Sequence, residues 1–180
     1  MIRAIAIADD DGLVGKLEDT TAELLISLGD IWDNSIEKVY AKYGCTRAFG
    51  IKGNHDSDSP FPSFVTPLHY TVATYGGLVF GGFNGSWKYK PRGHHLFEQD
   101  EVARMLRAFP KVDVFVAHNS PAGVHERDSD VHQGFQGFAE YIARTQPKYF
   151  LHGHQHMNGA TAVGDTKVIG VFGESTIELQ

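Results

Sequence analysis

Apolar residues arrive along this chain in short continuous runs, and several of the runs stop abruptly at aspartate, glycine or histidine. Ile2 to Ala8 is one such run, ending at Asp9, and Ala22 to Leu28 is another, ending at Gly29-Asp30. Runs of that length without polar alternation predict strands buried on both faces. The interval between them has room for one short helix. Asn34 and Ser35 are placed to cap a helix running to about Tyr43, and Thr46 to Ile51 reads as a third strand before the turn-rich stretch Gly53 to Pro62. The opening is therefore expected to be βαβαβ.

The middle of the chain changes character. Tyr70 to Tyr75 and Leu78 to Phe83 flank Gly76-Gly77, which predicts a hairpin with β-branched and aromatic residues on both arms. From Glu98 the spacing of Val102, Met105, Leu106 and Phe109 predicts an amphipathic helix with acid in its first turn, stopped by Pro110. Val112 to Ala117 is a further buried strand. A second amphipathic helix carries Phe135, Phe138 and Ile142, ends before Pro147, and leads into a strand from Tyr149 to His152. Gly159 to Val163 and Lys167 to Phe172 form a hairpin around Gly164-Asp165, and Thr176 to Leu179 is a last strand. These elements make an α/β fold with two mixed sheets. No repeat, low-complexity tract or linker divides residues 1 to 180, so one domain is expected.

Composition narrows the chemistry. The chain has 180 residues, with 42% hydrophobic and 21% charged residues, and no apolar run approaches the roughly 20 residues of a bilayer-spanning helix. Met1 to Ala8 has one basic residue and runs into three aspartates, which does not fit a cleavable signal peptide, so a cytoplasmic location is expected. A single cysteine, Cys45, excludes an internal disulfide and a thiolate metal cage and reads as a small apolar filler. Against 16 Lys+Arg stand 22 Asp+Glu, for a net charge of -6, with ten histidines besides. Such a chain is a poor general binder of long nucleic acid or of an anionic membrane. Acid together with histidine suggests metal.

Ligands of α/β folds gather at the carboxyl ends of the strands. Here the first strand is followed by Asp9-Asp10-Asp11, the second by Gly29-Asp30-Ile31-Trp32-Asp33, and the third by Gly53-Asn54-His55-Asp56. The strand at Val112 is followed by His118-Asn119, and the one at Tyr149 by Gly153-His154-Gln155-His156. Any one of these is an ordinary turn or cap sequence. All five together supply oxygen and imidazole donors at one edge of the fold.

In order and placement these blocks resemble the calcineurin-like metallophosphoesterase family, whose pattern is D-x-H, G-D-x-x-D, G-N-H-[DE], a lone His after a strand, and G-H-x-H. The resemblance covers most of the chain. It implies two mixed sheets packed as a sandwich and flanked by helices, with the metal site at the strand ends. It also implies one divalent ion held by Asp9, Asp11, Asp30 and His156, and a second held by Asp30, Asn54, His118 and His154. Two such ions about 3.5 to 4 Å apart can share a hydroxide, present it to phosphorus and neutralise the charge that develops. The resemblance gives His55 the part of general acid toward the leaving oxygen, and Asp33 that of orienting its ring, since a carboxylate partner favours the imidazolium.

One position departs from the family. Asp11 stands where the first block should end in His, so the centre gains a carboxylate and, with two divalent ions, keeps a single net positive charge in place of two. An all-oxygen side favours harder ions, and Mn²⁺ is expected ahead of Mg²⁺, Zn²⁺ or iron. The alternative is that Asp11 is a turn residue, with Asp10 or a water completing the site. The reduced charge favours a diester over a dianionic monoester.

Two segments are candidates for contacting a small phosphoester or nucleotide. Gly85 to His95 interleaves aromatics with basic residues, including Arg92, His94 and His95, and reads otherwise as a solvated loop. Pro121 to Phe135 follows His118 and carries His132, which could meet a phosphate oxygen or cap the next helix. His69, His125 and His152 read as structural or exposed. A phosphomonoesterase, a nuclease of short oligonucleotides and a scaffold that has lost catalysis are the competing readings. Retention of His55, His118, His154 and His156 argues against the scaffold. The oligomeric state stays open.

Overall fold

Every strand expected from a continuous apolar run is present in the computed structural model, which describes residues 1–180. One sheet has the order β13-β1-β2-β3-β4, built from β1 (Ile2–Ala8), β2 (Leu24–Ser27), β3 (Arg47–Gly50), β4 (Val65–Pro67) and β13 (Gly173–Leu179). The first four are parallel, and β13 runs antiparallel along β1. The other sheet has the order β11-β12-β10-β9-β6-β5. Its parallel centre is β6 (Leu78–Phe83), β9 (Val114–Ala117), β10 (Tyr149–His152) and β12 (Thr166–Gly170). The hairpin partners β5 (Val72–Tyr75) and β11 (Gly159–Val163) close its edges in antiparallel register.

The continuous apolar runs are explained by burial on both faces. Along β1, Ala4, Ala6 and Ala8 face the second sheet and meet Phe80, Val114, Val116 and Leu151, whereas Ile5 and Ile7 face outward onto Ile36 and Val39 of helix α1 (Asp33–Lys42). The second sheet does the same. Phe115 and Phe150 stack with ring centroids 5.1 Å apart beneath helices α2 (Gln99–Ala108) and α3 (Gln136–Thr145), packing on Leu106, Phe138 and Ile142. The layers are helix, sheet, sheet, helices, as expected, and truncating Phe115 to alanine would cost about 3–5 kcal/mol.

The structure corrects three expectations. No α-helix joins β1 to β2; only a single 3₁₀ turn forms, Asp11–Leu13, capped by the Asp10 carboxylate accepting from the Gly12 amide at 2.8 Å. The rest of that loop is held from outside. Glu174 of β13 accepts the amides of Gly15, Lys16 and Leu17 and the Tyr43 hydroxyl, so backbone donors a helix would have used are satisfied by one carboxylate. Helix α1 begins earlier than its Asn34 and Ser35 suggest: Trp32 is the N-cap, and Asp33 supplies the first-turn acid. Finally, the Gly85 to His95 segment read as a loop carries β7 (Ser86–Trp87), which pairs in parallel with β8 (Leu96–Phe97) just beyond it, and Lys88 pairs with Glu98 at 3.0 Å.

Candidate metal centre

The two sheets meet at the carboxyl ends of their central strands, and hydrogen bonds stitch the seam. The Asp9 amide donates to the Gly29 carbonyl at 3.3 Å and the Gly153 amide to the His118 carbonyl at 2.9 Å. Between the sheets, the His154 amide donates to Asp9 Oδ2 at 2.8 Å, and His118 Nδ1 lies 2.8 Å from the Leu28 carbonyl. A carbonyl only accepts, so His118 carries a proton on Nδ1 and points Nε2 into the seam. His154 is fixed in the opposite sense: its Nε2 donates to the Val131 carbonyl at 3.1 Å, which leaves Nδ1 free.

Four of the expected ligands hold backbone conformations that non-glycine residues avoid. Asp9, Asp30, His154 and His156 have φ of 68°, 56°, 60° and 48°. Each such residue costs on the order of 1 kcal/mol, and strain of this kind persists where surrounding structure enforces it and function uses it. Each stands within a few residues of a strand end, where the chain must turn sharply while a side chain stays aimed inward.

At the centre, one ligand atom from each of Asp9, Asp30 and His118 lies within 4.8 Å of the others. His118 Nε2 is 3.3 Å from Asp30 Oδ2, 4.0 Å from Asp9 Oδ1 and 3.0 Å from Asn54 Oδ1. The His118 ring is fully buried, and the Asp9 side chain is 1% exposed. Burial drives the Asp9 carboxyl up to about 7, with the His118 charge working against it. Burial also acts to raise Asp30, but the His118 charge and hydrogen bond together with the His55 amide outweigh it and hold that carboxyl below the ordinary range. His118 is pulled down by burial and up, more strongly, by Asp30 and Asp9, to about 9. Without metal the two acidic neighbours favour the charged form of His118, and Asp9 Oδ1 has no hydrogen-bond partner. An orphaned carboxylate oxygen, a second carboxylate and an imidazole whose Nε2 would give up its proton to a metal are the donor set a divalent cation satisfies.

The remaining expected residues distribute around this cluster. Asn54 is buried against it and donates from Nδ2 to the Tyr89 hydroxyl at 3.3 Å. The His154 ring stands 5.0 Å from His118, and that of His132 5.0 Å from His154. His156 is exposed and stacks on Phe172 with centroids 4.9 Å apart. Asp11 lies outside the cluster, where its Oδ1 accepts from the Trp32 amide at 3.2 Å. His55 is exposed at the mouth of a cleft it shares with Asp30 and Asp33, and its amide donates to Asp30 Oδ1 at 2.8 Å. No hydrogen bond joins Asp33 to His55; the nearest cation to Asp33 is Lys52 Nζ, at 4.0 Å. Arg92 is exposed, and His94 pairs with Asp58 at 2.8 Å, on a segment that His95 ties to the Ser57 carbonyl.

Sequence reading overlooked three residues. Asp56 Oδ2 accepts the amides of Asp30 and Gly53, at 2.8 and 2.7 Å, and so locks two ligand loops together; its place in the third block was the available signal. Gln155, between the two histidines of the last block, accepts the Arg127 amide and donates to Ser120 and the His132 carbonyl. Lys52, one residue before that third block, is buried.

Residues 8–158 match the family described as calcineurin-like phosphoesterase. The chain belongs to that family. Membership implies metal-dependent phosphoester hydrolysis, and the cluster of Asp9, Asp30 and His118 is where such a metal fits. This calcineurin-like phosphoesterase is 26% identical over 155 residues to a lariat debranching enzyme of Drosophila pseudoobscura pseudoobscura, a match covering 63% of the chain and 29% of that relative. The chain thus spans under a third of the curated relatives it matches. Among solved structures it resembles phosphopantetheinyl hydrolase from Mycobacterium tuberculosis, with a TM-score of 0.63 at 14% identity over 94% of this chain and 89% of that one. Zinc-complexed Vps29 from Entamoeba histolytica superposes with a TM-score of 0.50 at 9% identity, covering 94% and 73%. At these identities the likeness speaks for the fold.

Proposed function

We propose that this chain hydrolyses a small phosphoester, a diester in preference to a monoester, in a cytoplasmic setting that its single buried thiol suits. The observation carrying the reading is the orphaned Asp9 oxygen beside Asp30 and His118 at the seam of the two sheets, with His55 exposed next to it. Asp9, Asp11, Asp30 and His156 would hold one divalent ion, and Asp30, Asn54, His118 and His154 the other. Bound there, two such ions supply an activated water and neutralise charge at phosphorus, with Mn²⁺ preferred for the oxygen-rich side.

The protein's own groups do the rest. The amide bond from His55 to Asp30 fixes the His55 backbone against the metal cluster while its ring stays in the cleft. His55 is assigned the delivery of the proton that a departing oxygen needs. Asp33, in the wall of the same cleft, is assigned the orienting of that ring once substrate is present. His132 is assigned a phosphate contact from the opposite side, where its ring stands against His154.

Aryl phosphate diester and monoester substrates assayed with Mn²⁺, with His55→Ala alongside, test the reading. The diester should turn over faster, and His55→Ala should lower kcat about 10²–10⁴-fold on esters with poor leaving groups. A faster monoester reverses the preference, and an unaffected His55→Ala removes the acid. No hydrolysis with any divalent ion would leave a binding module.

A further inference from the structure

Beside the metal cluster lies a cleft of about 390 Å³ whose walls include Asp30, Trp32, Lys52 and His55. Small-molecule sites have about this size, and two features of this one are unusual. Trp32 is 74% exposed although it is among the largest apolar side chains of the protein. Its backbone is pinned: its amide is held by Asp11, its carbonyl accepts the Ser35 and Ile36 amides, and Ile31 before it is buried. An aromatic side chain on a pinned backbone therefore stands uncovered at the rim.

Lys52 presents the opposite anomaly. Its side chain is 10% exposed, yet its ammonium has no hydrogen-bond acceptor; the nearest carboxylate oxygen is 4.0 Å away on Asp33, and the Phe61 ring lies beneath it at 3.9 Å. The backbone on either side is pinned, the Lys52 amide to Asn84 Oδ1 at 2.8 Å and the Lys52 carbonyl to the Gly85 amide at 2.7 Å. With no acceptor on the protein and solvent able to reach it, this ammonium is free to bond an anion that enters the cleft. Three proposed carboxylate ligands also make the metal centre poorer in positive charge than the family pattern would, and a fixed lysine beside it offsets that deficit.

A stacking face and an unpaired ammonium flanking one reacting centre suit a ligand with both a planar ring and an anionic oxygen. We infer that this cleft receives the nucleoside part of a phosphoester, its base stacked on Trp32 and its phosphate oxygen bonded to the Lys52 ammonium. The substrate class of the proposed reaction is then a nucleotide ester, and the inference rests on that reading of the centre. The segment from Gly85 to His95, with its basic and aromatic residues, is relieved of the role: its His94 and His95 already face Asp58.

Calorimetric titration of the Mn²⁺-loaded protein with adenosine 5′-monophosphate and with inorganic phosphate tests this without turnover. The nucleotide should bind about tenfold or more tighter than phosphate, as base stacking on an aromatic permits. Trp32→Ala should bring nucleotide affinity down to that of phosphate and leave phosphate binding unchanged. Lys52→Gln should weaken both ligands about tenfold, with a melting profile confirming that the variant folds. Equal affinity of nucleotide and phosphate in the native protein, or nucleotide binding indifferent to Trp32→Ala, overturns the inference. Nucleotide binding with these sensitivities but no ester hydrolysis upholds the cleft and refutes the hydrolase reading instead.

Discussion

His118 Nε2 and Asp30 Oδ2 lie 3.3 Å apart across the seam between the two sheets, the imidazole fully buried and the carboxylate nearly so. Each is fixed from behind, His118 by the Leu28 carbonyl and Asp30 by the His55 amide. Two preset donors with one orphaned oxygen beside them should bind metal in the folded state alone, so metal should stabilise folding. At a hundred times the dissociation constant, Mn²⁺ should add about 2.7 kcal/mol, or roughly 5–10 °C in Tm for a chain of this size. Asp30→Asn should abolish the shift. A shift surviving in Asp30→Asn would place the metal elsewhere.

Asp11 gives the second prediction. Its Oδ1 holds the Trp32 amide at 3.2 Å, so it already has work in the metal-free protein, and the family histidine at this position would remove that bond along with a negative charge. Asp11→His should move preference from Mn²⁺ toward Zn²⁺ in competition measured by bound metal, while Asp11→Asn, which keeps an oxygen for Trp32, should weaken Mn²⁺ binding without raising the affinity for Zn²⁺. Unchanged preference in Asp11→His would mean that Asp11 is a turn residue only.

Glycine placement leads to the third. A Cβ on Gly53 would collide with the Asp30 carboxylate and stand 2.6 Å from His118 Cε1. Gly53→Ala should therefore weaken metal binding at least tenfold by spreading the ligands. Gly77, in the β5–β6 hairpin, has φ +82° but open space around it, so Gly77→Ala should cost about 1 kcal/mol of stability and leave the metal-induced Tm shift intact. Equal metal affinity in Gly53→Ala and the native protein would show that the seam yields.

These residues also mark what could be read from the sequence. The strands of the two-sheet core announce themselves because both faces are buried: Ala6 packs inward while its neighbours Ile5 and Ile7 pack under α1, so no polar position interrupts the run. The ligand positions follow from the strand ends, since a parallel sheet puts them on one edge. Residues whose part depends on tertiary packing left a weaker mark or none. Asp56 and Glu174 act by accepting amides that are remote in sequence or displaced by a turn, and β4, β7 and β8 are two or three residues long, too short for any periodicity. Lys52 reads as an ordinary polar residue until Phe61 is seen beneath it.

His69, which is not among the proposed ligands, provides a pH signature. Its ring packs edge-on against Phe83 with centroids 4.8 Å apart, and Nδ1 accepts the Asn84 amide at 3.0 Å, an arrangement that requires the unprotonated nitrogen. Burial, with a smaller contribution from His95, lowers its pKa from 6.5 to about 4. The unfolded chain therefore binds a proton that the folded one refuses. The contribution of His69 to stability is complete above pH 6.5, and it is lost as pH falls from there to about 4. The slope should be no more than about 1 kcal/mol per pH unit, because the ring keeps some contact with water. His69→Asn retains an acceptor near Nδ1 and cannot titrate. Urea unfolding of both proteins in a metal chelator should show a stability difference that is flat above pH 7 and shifts in favour of His69→Asn as pH falls below 6.5; a difference independent of pH would show that His69 keeps its ordinary titration in the fold.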